Sequence, residues 1–319
     1  MAATVPSVPV IVTAGDLGDE LASFTRHLRA ANVSPNTVYA YAGAVVSLGR
    51  FLAEHEHPTD VRLVRREHVE EWINGLLATY KPTTAHQRFR GAQRFFHWYA
   101  SVDDAETFRS PMAKMRPPRL PEYLPDVLTI DQLRALLAAC AGRTFEDRRD
   151  AALLRIFFDT GARRAEVADL RWSSDPAERR EDVDLSTGNV RLFGKGRRER
   201  YASLSPSTIE ALEAYIRVRK VHPHSAEPWL WLGRKGRLTD SGIAQTIRDL
   251  GLRAGIAGLH PHVLRHSWRH HAASAGMSRE DMMQLGGWRS DAMLRRYASS
   301  TANARALDSA RAISLGDKL

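Results

Sequence analysis

Residues 259–276 read LHPHVLRHSWRHHAASAG, and residues 282–300 read MMQLGGWRSDAMLRRYASS. In the first run a helix opens through His262 and Arg265, and His262, His266 and His270 repeat every fourth residue on one face. Three imidazoles in line raise the question of a metal site, yet Arg265 would sit among the ligands and repel a cation, and neither an HExxH pattern nor a thiolate accompanies them. The other reading pairs His262 with Arg265, both turned to one phosphate, with His266 and His270 structural and Trp268 in the core. In the second run Trp288 follows Gly286-Gly287, and its indole N–H can donate one hydrogen bond while the ring packs. Tyr297 follows Arg295 and Arg296, surroundings that favour phenolate, although a tyrosine beside arginines is ordinarily a surface phenol.

Two further segments carry matching chemistry. In DTGARRAEVADLRW (159–172) Gly161 provides a turn, Arg163 stands at a helix start where a guanidinium can bind two oxygens of one phosphate, and Glu166 can hold it by an i, i+3 pair. An arginine at a helix start is, taken alone, more often simply solvated. In NVRLFGKGRRERYASLS (189–205) two alternating runs flank Gly194-Lys195-Gly196, which reads as a hairpin and is the one convincing β element. Lysine is scarce in this chain, so Lys195 at the hairpin tip is notable: an ammonium can give a proton to a leaving alkoxide, which arginine cannot do. Exposed lysines are also common at such tips.

The rest of the chain is mostly helical. SPNTVYAYAGAVVSLGRFLAE (34–54) has Ser34 as cap and Pro35 at the first helical position, with Val38, Tyr41, Val45, Leu48 and Leu52 at helical spacing. In TTAHQRFRGAQRFFHWYA (83–100) Phe89, Ala92, Phe95, Phe96 and Tyr99 line a core face, and Gln87, Arg90, Arg94 and His97 lie opposite. With shorter helices near 16–30 and 66–79, residues 15–105 form a small all-helical domain behind a loose leader, 1–14. Asn36, Thr37, Gln87, Arg90 and Arg94 are types that contact phosphates and base edges, as are Arg197 and Arg198 in the hairpin; any one of them can equally be a solvated side chain. SPMAKMRPPRLPEYLPD (110–126) is too proline-rich for helix or central strand, so 106–126 reads as a linker. The second domain, 127–319, opens with a Thr129/Gln132 capping box, gains a helix at Ser205-Pro206, and has another after Thr239 with Gly251 as its stop signal. Leu307, Ala310 and Ile313 make a narrow apolar stripe in the tail, suited to its own domain or a neighbouring copy.

Composition agrees. The chain of 319 residues is 43% hydrophobic and 26% charged, ordinary for two globular domains, and its formal net charge of +9 points to a polyanion as partner. Cys140 is the only cysteine, which excludes a disulfide framework and fits a reducing compartment; residues 1–14 form neither a secretory signal nor a membrane span.

In the order Arg163, Lys195, His262-x-x-Arg265, Trp288, Tyr297, the chain resembles the tyrosine recombinase (phage integrase) family of the simple two-domain, Xer-like type. The motifs are TGARRAEV (160–167), FGKGRRER (193–200), HPHVLRHSW (260–268), LGGW (285–288) and RRY (295–297), and the likeness spans residues 15–300. Many relatives have histidine where Trp288 stands; tryptophan still donates a hydrogen bond but cannot carry a proton. The resemblance implies a mainly α fold: a SAM-like helical core-binding domain, then an α-rich catalytic domain with a small β-hairpin or sheet, the DNA breaking-rejoining fold. It implies that Tyr297 attacks a scissile phosphate to form a 3′-phosphotyrosyl bond, that Arg163 and Arg265 stabilise the phosphate's charge, and that Lys195 protonates the leaving 5′ oxygen. His262 would handle the phenol's proton or donate to the phosphate, Trp288 would donate and buttress, and Glu166 would support. It implies no cofactor, metal or ATP, double-stranded DNA as partner, a homotetramer on two duplexes passing through a Holliday junction, a monomer or weak oligomer when free, and a cytoplasmic protein of a bacterium, phage or mobile element. With no extra domain expected ahead of residue 15, an arm-binding integrase is disfavoured. Rival readings are a type IB topoisomerase, against which the first domain and linker argue; a DNA-binding protein that never cuts, against which the full set of six chemical groups argues; and a histidine-based metal hydrolase.

Overall fold

The computed structural model describes residues 16–102, 108–121, 126–172, 181–194 and 198–288. The chain divides into two compact units, 1–122 and 123–319.

The first unit is built from α1 (Asp16–Ala30), α2 (Pro35–Glu54), α3 (Arg66–Thr79) and α4 (Pro82–Val102). Helix α2 starts where Ser34 Oγ accepts from Thr37 N at 3.3 Å, with Pro35 just inside, so the two start signals act together. Its apolar stripe, Val38, Val45, Leu48 and Leu52, is buried against Phe89, Phe95 and Phe96 of α4, whose Gln87, Arg90, Arg94 and His97 are exposed. Gly91 sets the spacing of the pair, since a Cβ there would stand 2.5 Å from Ala44 Cβ. Met112, in the proline-rich stretch, is fully buried in this same core, and His86 Nδ1 lies 2.9 Å from Pro118 O.

The second unit carries α5 (Ile130–Ala138), α6 (Phe145–Thr160), α7 (Arg164–Ala168), β1 (Val183–Asp184), β2 (Asn189–Phe193), β3 (Glu199–Ser203), α8 (Pro206–Arg219), β4 (Leu232–Gly233), β5 (Gly236–Arg237), α9 (Asp240–Arg253), α10 (Pro261–Ser274) and α11 (Arg279–Gly286). Helix α5 opens on the Thr129/Gln132 capping box. The hairpin is present as β2–β3, in register Leu192 with Arg200 and Val190 with Ala202, and β1 extends it to a three-stranded antiparallel sheet. A second, two-stranded sheet, β4–β5, lies beyond α8; both additions rest on two-residue strands, too short for alternation to reveal. Phe157, Leu212, Tyr215, Trp231 and Leu264 fill the core, and Trp231 Nε1 donates to Val167 O at 2.9 Å, tying that core to the last turn of α7. Cys140 is buried, and burial first of all pushes its thiol up to about 12, so it is an unreactive core side chain.

Gly251 is not a helix stop. Helix α9 continues to Arg253, and Gly251 is buried within it because a Cβ would stand 2.6 Å from Leu259 Cβ and 2.9 Å from Ile256 O. The left-handed glycine that follows the helix is Gly255, at φ 71°. Among the described residues no helix is long and apolar enough to cross a membrane.

Candidate active site

Three arginines from three elements meet the C-terminal end of α11. A helix leaves its last carbonyls without intrahelical partners, and they carry the negative end of the macrodipole. Here Leu285 O accepts from Arg200 Nη1, Gly286 O from Arg265 Nη2 at 2.6 Å, and Gly287 O from Arg163 Nη2 at 2.8 Å. Three consecutive carbonyls thus hold three guanidiniums side by side. Gly287 turns the chain out of the helix at φ 65°, ψ 40°, the left-handed conformation glycine adopts at no steric cost. The place a Cβ of Gly286 would take is occupied by the Trp288 ring.

Arg163 stands at the N-cap of α7, and Glu166 answers it twice, accepting from its backbone N and from its Nη1, both at 2.8 Å. Glu166 is 2% exposed at the side chain and accepts from Arg200 Nη2 at 2.7 Å as well. Burial alone would raise its pKa, but the Arg200 charge and the hydrogen bonds from Arg163 and Arg200 outweigh it and hold the carboxyl below its ordinary value. Helix α7 is pinned to α9 through Arg164, whose Nε and Nη2 meet the Asp240 carboxylate at 2.5 and 2.6 Å.

Arg265, on α10, is buried and also donates to Gly161 O at 2.5 Å. Gly161 ends α6 in the left-handed region, φ 53°, where Trp268 fills the space beside it. Trp268 is buried, donates from Nε1 to Asp159 O at 2.9 Å, and has its ring centroid 6.0 Å from that of Trp288, nearly parallel. The Trp288 ring lies 4.1 Å from Arg265 Cζ, a cation–π contact in a partly desolvated setting. The tryptophan therefore packs against the arginine while the Gly161 and Gly286 carbonyls accept from its two terminal nitrogens.

His262 is exposed at the surface, near the same cations. Desolvation by the surrounding protein, then His260, Arg265, Arg164 and Arg163, lowers its pKa, so the neutral imidazole is the stable form and can accept a proton. The His262 and His266 rings lie 6.0 Å apart, near parallel, and burial is also the first cause holding His266 down to about 4. Among the described residues no group of three or more His, Cys, Asp or Glu side chains is placed to hold a metal ion.

Of the residues expected from sequence, Arg163, Glu166, His262, Arg265 and Trp288 are thus brought together. Lys195, Arg197 and Tyr297 lie outside the described residues, as does the tail stripe at Leu307, Ala310 and Ile313. Asn36, Gln87, Arg90, Arg94 and Arg198 are exposed, and the Thr37 hydroxyl lies 2.8 Å from Ser34 Oγ at the start of α2. Arg200 was missed. Its signal was available in strand alternation: in the hairpin it shares parity with Ala202 and pairs with Leu192, both inward-facing, so it belongs to the core side of β3.

The arginines form a basic centre, suited to an anion, on an α-rich unit with a small antiparallel sheet that follows a four-helix unit. The chain belongs to the phage integrase family: the model of that family matches residues 126–304, and that of the phage integrase N-terminal SAM-like domain matches residues 21–105. It is a tyrosine-type site-specific recombinase, an enzyme that acts on DNA. The chain is 28% identical over 261 residues to tyrosine recombinase XerD of Staphylococcus aureus, covering 80% of this chain and 84% of that one. Its fold is like that of XerH site-specific recombinase bound to palindromic difH substrate in a post-cleavage complex: TM-score 0.72, 16% identity, 96% of this chain and 91% of the other. It is also like that of a lambda integrase tetramer bound to a Holliday junction: TM-score 0.66, 14% identity, 88% and 79%.

Proposed function

We propose that this enzyme cleaves and rejoins DNA through Tyr297, with Arg163, Lys195, His262, Arg265 and Trp288 as its catalytic groups and Glu166 as their support. The observation that carries the reading is the convergence of Arg163 and Arg265 on the adjacent carbonyls of Gly287 and Gly286, beside a neutral His262. Two guanidiniums so fixed bring their positive charge to one phosphate without reorganising, the kind of preorganised electrostatics that supplies the largest single term in many enzymes. Tyr297 Oη bonds to the scissile phosphorus as the bond from phosphorus to the 5′ oxygen breaks. The phenol's proton passes to His262, and the Lys195 ammonium gives a proton to the departing 5′ oxygen. The 3′-phosphotyrosyl bond conserves the energy of the broken ester, so a 5′ hydroxyl rejoins it by the reverse path.

The two positive charges of the arginines offset the charge on the phosphate, and no metal ion enters the scheme. Assembly follows the relatives: a homotetramer on two duplexes, exchanging strands by way of a Holliday junction, from a monomer or weak oligomer in free solution. The first unit and the hairpin read the site through Asn36, Thr37, Gln87, Arg90, Arg94, Arg197 and Arg198. The setting is the cytoplasm of a bacterium, on a chromosome or a mobile element.

The test starts from duplexes selected by binding out of a random pool, placed as pairs on a plasmid and incubated with the protein in EDTA. Exchange between the paired sites is the expected outcome. Relaxation without exchange would indicate a topoisomerase, and binding with neither would indicate a protein that only marks the site.

A further inference from the structure

Arg200 is engaged at both terminal nitrogens without any assigned role. It lies on the inward face of β3, its side chain is 9% exposed, and it spans two other elements: Nη2 donates to Glu166 Oε2 at 2.7 Å and Nη1 donates to Leu285 O. Its Nε is buried and has no hydrogen-bond partner among the described residues. The place of a Cβ on Gly287 lies 3.2 Å from Arg200 Nε and 3.3 Å from Arg163 Nη1, so the two guanidiniums crowd over the same glycine. Both bind the one Glu166 carboxylate, and both end on carbonyls of the same helix terminus.

We propose that Arg200 is a positioning residue for strand cleavage: it clamps β3, Glu166 and the end of α11 together, and thereby fixes the Arg163 guanidinium and the Gly286–Trp288 turn where the scissile phosphate meets them. Its two terminal nitrogens are held by protein acceptors, as are those of Arg163 and Arg265, and the role proposed for it is exerted through Arg163 and the turn. Strand β3 is also the return strand of the hairpin that carries Lys195 in sequence, so the clamp ties the proton donor's strand to the arginine pair. The inference rests on the recombinase reading above.

Arg200→Gln and Arg200→Lys separate positioning from mere support of the fold. Glutamine cannot span both acceptors; lysine keeps the charge but loses the fork that reaches two partners at once. The full-length protein is mixed in excess with a nicked suicide duplex, and the rate constant and amplitude of covalent adduct formation are followed alongside non-covalent DNA affinity. Arg200→Gln is expected to lower the rate constant by about 100-fold, the usual consequence of displacing a reacting group by about 1 Å, with affinity and amplitude within about threefold of wild type. Arg200→Lys, the variant kept in case glutamine unfolds the unit, is expected to lose at least about tenfold in rate constant at unchanged affinity. An unchanged rate constant in both variants, or a loss confined to amplitude and affinity, overturns the proposal. Wild-type protein that forms no adduct at all sinks the recombinase reading itself, which distinguishes the two failures.

Discussion

Replacing Glu166 by glutamine removes the negative charge at the centre of the arginine cluster while keeping nearly the same volume. In the native site the carboxylate accepts three hydrogen bonds, from Arg163 N, Arg163 Nη1 and Arg200 Nη2, and it is 2% exposed. A glutamine oxygen can satisfy only part of this set, and its amide N–H groups then face guanidinium donors. Removing one partner from a buried ion pair costs about 3–5 kcal/mol because the surviving charge stays buried. Arg200 is 9% exposed and bears that cost in full, whereas Arg163 is 37% exposed and its share must be discounted for solvent screening. The expected loss is therefore about 3 kcal/mol at neutral pH, at the low end of that range. Glu166 titrates below its ordinary value of 4.5, so its contribution is present above that pH and disappears as pH falls through the depressed folded value; the gap between wild type and Glu166→Gln should narrow below pH 4.5. Urea unfolding of the full chain measures the loss, and the double variant Glu166→Gln/Arg200→Met supplies the control. With both charges of the pair gone, methionine fills the Arg200 space, and the double variant should cost at least about 1.5 kcal/mol less than the two single losses added. A single-variant loss below about 1 kcal/mol, or strictly additive losses, would refute the picture of one carboxylate holding two guanidiniums.

Three other perturbations probe the same geometry. Gly287→Ala forces a side chain into φ 65° and sets its Cβ against Arg200 Nε and Arg163 Nη1; a stability loss of about 1–2 kcal/mol in urea and a cleavage rate reduced more than about tenfold are expected. Trp288→Ala removes the ring that lies 4.1 Å from Arg265, and a contact worth about 2 kcal/mol corresponds to a cleavage rate lower by more than one power of ten; Trp288→His should restore most of it in the same single-turnover assay. His266 is held down to about 4 from 6.5, so the folded state binds fewer protons than the unfolded one between these values, and stability attributable to it falls as pH drops from 6.5 towards 4. After discounting for partial exposure this is about 1–2 kcal/mol, read as the difference in urea midpoint between wild type and His266→Gln at pH 7 and at pH 4.5.

What could be read from sequence was set by local physics. Helix α2 announced itself because Ser34, Pro35 and the stripe from Val38 to Leu52 are all local signals, and the Arg163–Glu166 pairing followed from i, i+3 spacing at a helix start. Gly251 was misread because a glycine late in an apolar-periodic run has the same local appearance whether it ends the helix or admits a neighbour; only the approach of Leu259 decides. Arg200 was passed over because it sits in a run of charged residues, 197–200, that reads as a solvated hairpin tip, and its burial depends on β3 lying against the end of α11. The shared anchor of the arginines, three backbone carbonyls in succession, has no side-chain signature at all. The short strands β1, β4 and β5 pair with near neighbours in sequence, but at two residues each they are too short for an alternating pattern to announce them.

The central claim is that the arginine cluster presents a phosphate to Tyr297. Its most direct test is to trap the protein on a nicked suicide duplex in EDTA, digest the adduct, and locate the DNA-bearing peptide by mass spectrometry. The account predicts a nucleotide remnant on Tyr297 through a 3′-phosphate, formed without metal, and lost in Tyr297→Phe. An adduct on any other residue, or cleavage that persists in Tyr297→Phe, would contradict it.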